Sequence, residues 1–220
     1  MRKAILIFGP PGAGKGTQAD LVAQELNLVH FDTGRYLNEL IKSKKDPSRK
    51  IKTGIKTGGL VESSFVLQVV KKQLKKISQA GFGVILSGSP RSIPEAFGDK
   101  KRKGLIPFLA KLYGRENLVI FKLEIPPQES IDRNSKRMVC SVCERSHILK
   151  VRLNSCPFCG GKLIRRSDDN PKIIKIRLEK YCAETEPIFT ELKKHGFKVH
   201  KIDGNSKPAV VFRSITRRLK

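Results

Sequence analysis

Phe8-Gly9-Pro10-Pro11-Gly12-Ala13-Gly14-Lys15-Gly16-Thr17-Gln18-Ala19 lies directly behind the apolar run AILIF (4–8) and opens the pattern ADLVAQEL (19–26). The spacing is G-x-x-x-x-G-K, placed between a strand-like and a helix-like segment. Glycines there let backbone N–H groups turn inward around an anion, and the helix start adds the positive end of its dipole. In such a loop the backbone of Gly12, Ala13, Gly14, Lys15, Gly16 and Thr17 cradles the phosphates of a nucleoside triphosphate, and Lys15 reaches the outer ones. Without a ligand the same residues would be only a glycine-rich turn, and the strand-before, helix-after context is what favours phosphate. One position departs from the common pattern: Gly16 stands directly after the lysine, where Ser or Thr is usual, and Thr17 follows it.

Working outward, KAILIFG, LVHF, GVILSG, NLVIFKLEI and KVHKID read as apolar strands, with helical patterns such as GKGTQADLVAQEL and SSFVLQVVKKQLKKIS between them. Strands that alternate with helices imply an α/β protein, a five-stranded parallel sheet covered on both faces. Two segments break the rhythm, a short basic one at 32–61 and one at 138–166 that holds paired cysteines. The expected organisation is therefore a core of 1–31, 62–137 and 167–220, interrupted by those two insertions.

A chain of 220 residues, 39% hydrophobic, is long enough for one substantial core. No apolar run approaches the roughly 20 residues of a spanning helix, and the first strand opens too early to leave room for a signal peptide. A cytoplasmic monomer with no membrane partner is the expectation. Four of the five cysteines form two C-x-x-C pairs, which suits a reducing compartment and a metal better than disulfides. The formal net charge of +25 invites a nucleic-acid partner. Against it, the lysines are spread along the whole chain, and the densest run, IKSKKDPSRKIKTGIKTGG (41–59), has no aromatic residue on which a base could stack.

The variant GKGTQ is the point at which a resemblance enters. GPPGAGKGTQA is similar to the nucleotide loop of adenylate kinases and their nucleoside monophosphate kinase relatives, and the likeness continues along nearly the whole chain. DTGRYL (32–37) resembles the start of that family's monophosphate-binding segment and GGLVESSFV its end, which takes in Val61. ILSGSPRSIPEA (85–96) resembles the second phosphate-side motif, and IDRNSKRMV the arginine helix before a lid. RRSDDNPKIIKIRL resembles the way out of the lid, and IDGNS, with Ser206, the loop that packs on adenine.

The resemblance implies phosphoryl transfer from ATP, with magnesium, to a nucleoside monophosphate, AMP first and GMP or another monophosphate second. It implies catalytic roles for Lys15, Arg91, Arg133, Arg137, Arg166 and Arg177, with Asp168 and Asp169 orienting the lid arginines. Monophosphate contacts fall to Thr33, Gly34, Arg35, Asn38, Val61, Gly88, Arg91, Glu95, Arg166 and Arg177. Arg133 and Arg137 are four residues apart, which on a helix aims both guanidinium groups to one side, where two forks suit phosphate oxygens. No general base is expected, because the acceptor phosphate is already ionised at neutral pH. The rival class is a catalytically weakened nucleotide-binding relative that uses its basic surface to hold RNA or a ribosomal particle.

Cys140-x-x-Cys143 and Cys156-x-x-Cys159, separated by twelve residues, read as a closed four-thiolate zinc site. Such a metal is structural, stapling a lid too small for its own core. HILKVRL (147–153) between the pairs is expected to fold as a two-stranded ribbon. His147 is a candidate replacement ligand, Cys182 is expected in the core, and His30 is read as a satisfied structural histidine.

Three departures from the family pattern stand out. L-D-G-F-P-R becomes Leu86-Ser87-Gly88-Ser89-Pro90-Arg91, replacing the acid that anchors magnesium's water shell with a hydroxyl. T-G-D-x-L-R becomes Thr33-Gly34-Arg35-Tyr36-Leu37-Asn38, which loses the phosphate-binding arginine and gains one three residues earlier, on the same helix face. The glutamine that reads adenine becomes Glu95, which when ionised only accepts hydrogen bonds.

Overall fold

The computed structural model describes residues 2–42, 63–148, 153–166 and 169–219. A five-stranded sheet runs in the order β2-β3-β1-β4-β8, and all its pairings are parallel. Its strands are β1 (Ala4–Phe8), β2 (Val29–Asp32), β3 (Val84–Ser87), β4 (Leu118–Glu124) and β8 (Val199–Asp203). Parallel strands need crossovers. These are α1 (Lys15–Glu25), α2 (Thr33–Lys42), α3 (Ser63–Gln79), α4 (Ile93–Phe97) and α5 (Leu105–Tyr113), then α6 (Pro127–Lys136), α7 (Pro171–Lys180) and α8 (Glu186–Lys194); α9 (Pro208–Thr216) follows the last strand.

The central strand shows why the sheet is covered twice. Ala4, Leu6 and Phe8 face one layer, packed with Val70 and Leu74 of α3, Leu109 of α5 and Ile188 of α8. Ile5 and Ile7 face the other, with Ala19 and Val22 of α1 and Val211 and Ile215 of α9. Every residue of β1 is buried, so its sequence is uninterruptedly apolar instead of alternating. Each large aliphatic chain sunk in these layers contributes about 1.5–3 kcal/mol.

The cysteine segment makes a second, three-stranded antiparallel sheet, ordered β6-β5-β7, from β5 (Arg137–Cys140), β6 (Ser146–Ile148) and β7 (Leu163–Ile164). This corrects one expectation. Of HILKVRL, His147 and Ile148 pair with β5 and Leu153 is in no strand, while positions 149–152, on which the expected two-stranded ribbon falls, lie outside the described residues. Arg137 is not on the helix of Arg133: α6 ends at Lys136, and Arg137 has φ −70° and ψ 131° as the first residue of β5. Strand pairing draws it out of the helix.

Between α7 and α8 a π-helical segment, Tyr181–Thr185, inserts an extra residue. That turns the face by about 100°. Cys182, the second residue of this segment, is exposed, which corrects its expected place in the core. Among the described residues no helix is long and apolar enough to cross a membrane.

Candidate active site

The phosphate loop follows β1 at the carboxyl end of the sheet, where open α/β sheets bind ligands. Gly12 has φ +78°, and a Cβ there would stand 2.6 Å from Asn134 Nδ2 and 3.1 Å from the Ser130 carbonyl. Only glycine lets α6 close on the loop. Ser130 and Asn134 are fully buried, and the Ser130 hydroxyl donates to the Pro11 carbonyl at 2.6 Å. Neither was singled out from sequence; their signal is a polar pair four apart on an otherwise charged helix. Gly14, with φ +85°, caps α1 in the left-handed region, and Thr17 one turn in is exposed.

Lys15 donates to the carbonyls of Gly9 at 2.7 Å and Pro10 at 2.8 Å. Its pKa is pushed down to about 7, first by burial of the ammonium and then by the guanidinium groups of Arg91, Arg177 and Arg137; Asp32 opposes them. Lys15 on α1 thus lies in the field of three guanidinium groups, brought from the β3–α4 loop, β5 and α7. Such a cluster is costly until an anion of several charges enters it.

Each arginine is braced. Arg137 grips Asp169 with two hydrogen bonds, one of them Nε to Oδ2 at 2.7 Å, and Arg177 Nη1 lies 3.6 Å from Asp169 Oδ1. The Asp169 carboxylate is 3% exposed, so its orienting part is built into the interior; Asp168 lies outside the described residues. Arg91 Nε donates to the Gly88 carbonyl at 2.6 Å, and the Thr185 hydroxyl in the π-helical segment holds the Arg91 carbonyl at 2.8 Å. Arg166 is half-buried at the way out of the lid.

Arg133 serves another corner. Its Nε pairs with Glu129 at 2.5 Å, Nη1 donates to the Gly204 carbonyl at 2.9 Å, and Nη2 reaches Asn205 Oδ1 at 3.2 Å. It therefore ties α6 to the IDGNS loop, where Ser206 donates to Asp203 at 2.8 Å. Arg133 and Arg137 do not point to a common spot.

Of the residues expected at the monophosphate, Thr33, Gly34, Arg35 and Asn38 lie on α2, and Thr33 Oγ1 is buried without a hydrogen-bond partner among the described residues. A Cβ on Gly88 would meet Arg91 Nη2 at 3.3 Å and Thr33 Cβ at 3.9 Å, which brings the two phosphate-side motifs together. Val61 lies outside the described residues. Arg35 is held by acids: its Nε is 3.4 Å from Glu144 in the first cysteine knuckle and its Nη2 is 4.0 Å from Asp20. Glu95 is buried in the first turn of α4, where Oε2 accepts the Arg91 N–H at 2.7 Å. Burial pushes its carboxyl up, against the lowering pull of the Ser89 hydroxyl and of Arg91.

His30 is satisfied, as expected, but by the site itself. Nε2 lies 2.8 Å from the buried Ser87 hydroxyl and Nδ1 2.6 Å from Asp20. Asp20 is held below the usual carboxylate range: burial alone would raise it, but the His30 hydrogen bond and charge, with Arg35 and Arg145, more than offset that.

In the lid, the four sulfurs of Cys140, Cys143, Cys156 and Cys159 all lie within 4.8 Å of one another, with Cys140–Cys159 at 3.4 Å and Cys143–Cys156 at 3.7 Å. Ligands about 2.3 Å from a tetrahedral zinc are separated by about 3.8 Å. The donor set fits zinc. His147 Nε2 stands 3.5 Å from the Cys156 sulfur, beside the four thiols. A Cβ on Gly161 would strike the Cys140 sulfur at 2.8 Å, so that glycine is required by the knuckle.

The sequence model of the family described as adenylate kinase matches residues 7–197. The chain is 35% identical over 213 residues to an adenylate kinase of Chlamydia pneumoniae, covering 96% of this chain and 95% of that protein. It is 34% identical over 220 residues to one from Carboxydothermus hydrogenoformans, covering 98% of each. It is 32% identical over 217 residues to one from Methanothrix thermoacetophila, covering 97% and 96%. With a phosphate loop closed by α6, cations converging on Lys15 and a four-cysteine lid, the chain belongs to the adenylate kinase family of phosphotransferases.

Proposed function

We propose that the protein transfers the terminal phosphoryl group of ATP to AMP, reversibly, giving two ADP. The observation that carries this reading is the state of Lys15, whose ammonium is pushed down to about 7, first by its burial in the loop and then by the guanidinium groups of Arg91, Arg177 and Arg137. A charge cluster of that kind suits the loose, in-line transition state of phosphoryl transfer, where positioning and charge stabilisation do most of the work.

In this reading the loop backbone and Lys15 hold the ATP phosphates, and Arg133 and Ser206 shape the adenine corner. Arg91, Arg137, Arg166 and Arg177 clamp the transferring group, and Thr33, Gly34, Arg35, Asn38, Val61, Gly88 and Glu95 take the monophosphate. Segments 32–61 and 138–166 close over the core to exclude water, the competing acceptor. The Thr17 hydroxyl, an oxygen donor suited to magnesium, lies in the first turn of α1 directly behind the loop. Magnesium, when it enters with ATP, supplies charge neutralisation at the phosphate oxygens.

AMP is placed first because Thr33 matches the residue typical of adenine-selective members; burial raises the Glu95 carboxyl, and in its protonated form that group both donates and accepts, as a glutamine does. A coupled ADP-formation assay with AMP, GMP, CMP and UMP in turn tests the choice; a faster rate with GMP would reverse it. The net charge of +25 favours a second reading, an RNA-binding relative with little catalysis. Steeply salt-dependent RNA retention without AMP-dependent ADP formation would establish that reading instead.

A further inference from the structure

Asp32, with which DTGRYL begins, has entered so far only through its charge on Lys15. It is the last residue of β2, and its register partner on β3 is Ser87, the residue that stands where the family carries an acid. The two positions therefore meet side by side at the carboxyl end of the sheet.

The two oxygens of Asp32 have different surroundings. Oδ1 accepts the Arg35 N–H at 3.0 Å and so caps the first turn of α2. Oδ2 is directed to the phosphate loop: among the described residues it is the nearest atom, outside α1 itself, to where a Cβ on Gly16 would stand, at 3.9 Å. In the commoner form of this loop that Cβ bears the hydroxyl that faces magnesium. The negative charge also acts on Lys15, where it opposes the neighbouring arginines. The Ser87 hydroxyl, meanwhile, is buried and engaged with His30 at 2.8 Å.

We propose that Asp32 is the carboxylate that holds the water shell of the metal accompanying ATP, the acid having moved from position 87 to its register partner on the adjacent strand. The inference rests on the phosphotransferase reading of the site. A hard divalent cation that keeps most of its waters needs one or two carboxylates beside the phosphates, and Asp32 is the acid that reaches the loop from a strand end.

The test uses Mn²⁺ as probe, with free ion followed by electron paramagnetic resonance in the presence of protein and ATP. Asp32→Asn and Asp32→Ser keep a helix-capping side chain, so α2 retains its first turn. Both should weaken Mn²⁺ binding to the protein–ATP complex at least five-fold, while metal-free ATP binding is not weakened. Moving the acid back, in the double variant Asp32→Ser with Ser87→Asp, should restore Mn²⁺ affinity to within two-fold of the parent protein; a merely structural role for Asp32 would not be rescued in this way. Parent-like Mn²⁺ affinity in Asp32→Asn, or no recovery in the double variant, would overturn the assignment. Failure of the parent protein to bind ATP at all would overturn the phosphotransferase reading and this inference with it.

Discussion

Glu144, in the first cysteine knuckle, is ion-paired to Arg35 on α2, with Nε and Oε2 3.4 Å apart. The contact joins the cysteine segment to α2 directly, so the arginine at position 35 meets an acid before any substrate arrives. Both side chains are about a third exposed, and such pairs are worth no more than about 1 kcal/mol. An entering phosphate can therefore take the guanidinium over. Arg35→Ala should raise the Kd for AMP about ten-fold and leave ATP binding within two-fold, as measured by calorimetry, whereas Glu144→Ala should change AMP affinity by less than about five-fold. An unaltered AMP affinity in Arg35→Ala would remove that residue from the monophosphate site.

Lys15 gives a pH signature. Its ammonium is pushed down to about 7 when the site holds no phosphate. Bound polyphosphate favours the charged form, so above neutrality ATP binding must take up a proton. Affinity should fall as pH rises from 7 to 9, by at most ten-fold per unit. Calorimetry at pH 8 in buffers of different ionisation enthalpy should show that uptake, and Lys15→Met should abolish it. A proton balance unchanged in Lys15→Met would place the coupled group elsewhere.

Glu95 makes base choice depend on pH. Burial raises its carboxyl, so the protonated form, able to donate to one ring nitrogen and accept from an exocyclic amine, persists to higher pH than in an exposed glutamate. Raising the pH ionises it, and the carboxylate then suits the two adjacent donors of guanine. The AMP over GMP ratio of kcat/KM should decline with rising pH in the parent protein and stay level in Glu95→Gln. At pH values where Glu95 is ionised, the substitution should raise the ratio about ten-fold or more. A ratio equally flat in both proteins would mean that Glu95 does not face the base.

The thiol geometry sets the metal content. One zinc per chain is expected by elemental analysis of protein with reduced thiols, and Cys156→Ser should lose it. Amide exchange should then quicken across β5, β6 and β7 while the five-stranded sheet stays protected, because that sheet is held by its own two apolar layers. Less than a tenth of an equivalent of zinc in the parent protein would reject the site.

The sheet, the loop and the lid cysteines were legible because each is written locally, as an apolar run, a glycine spacing or a C-x-x-C pair. What was not legible depends on which strands lie side by side. Asp32 acquires its place from its register partner Ser87, and His30 from the Asp20 and Ser87 that flank it, relationships that no sequence spacing encodes. The helical pairing of Arg133 with Arg137 failed because β5 draws Arg137 into a strand whose partners lie elsewhere in the chain. Cys182 is exposed within a π-helical segment, a local departure that hydrophobic periodicity alone does not reveal.

The central claim is that the cations gathered around Lys15 transfer a phosphoryl group between nucleotides, and its most direct measurement is ADP formation from ATP and AMP by the parent protein and by Lys15→Met. The account predicts two ADP for each ATP and AMP consumed, a rate that saturates with AMP, and a loss of at least about 10²-fold in kcat for Lys15→Met. ADP release that is indifferent to AMP and accompanied by free phosphate, or a Lys15→Met rate equal to the parent's, would contradict it.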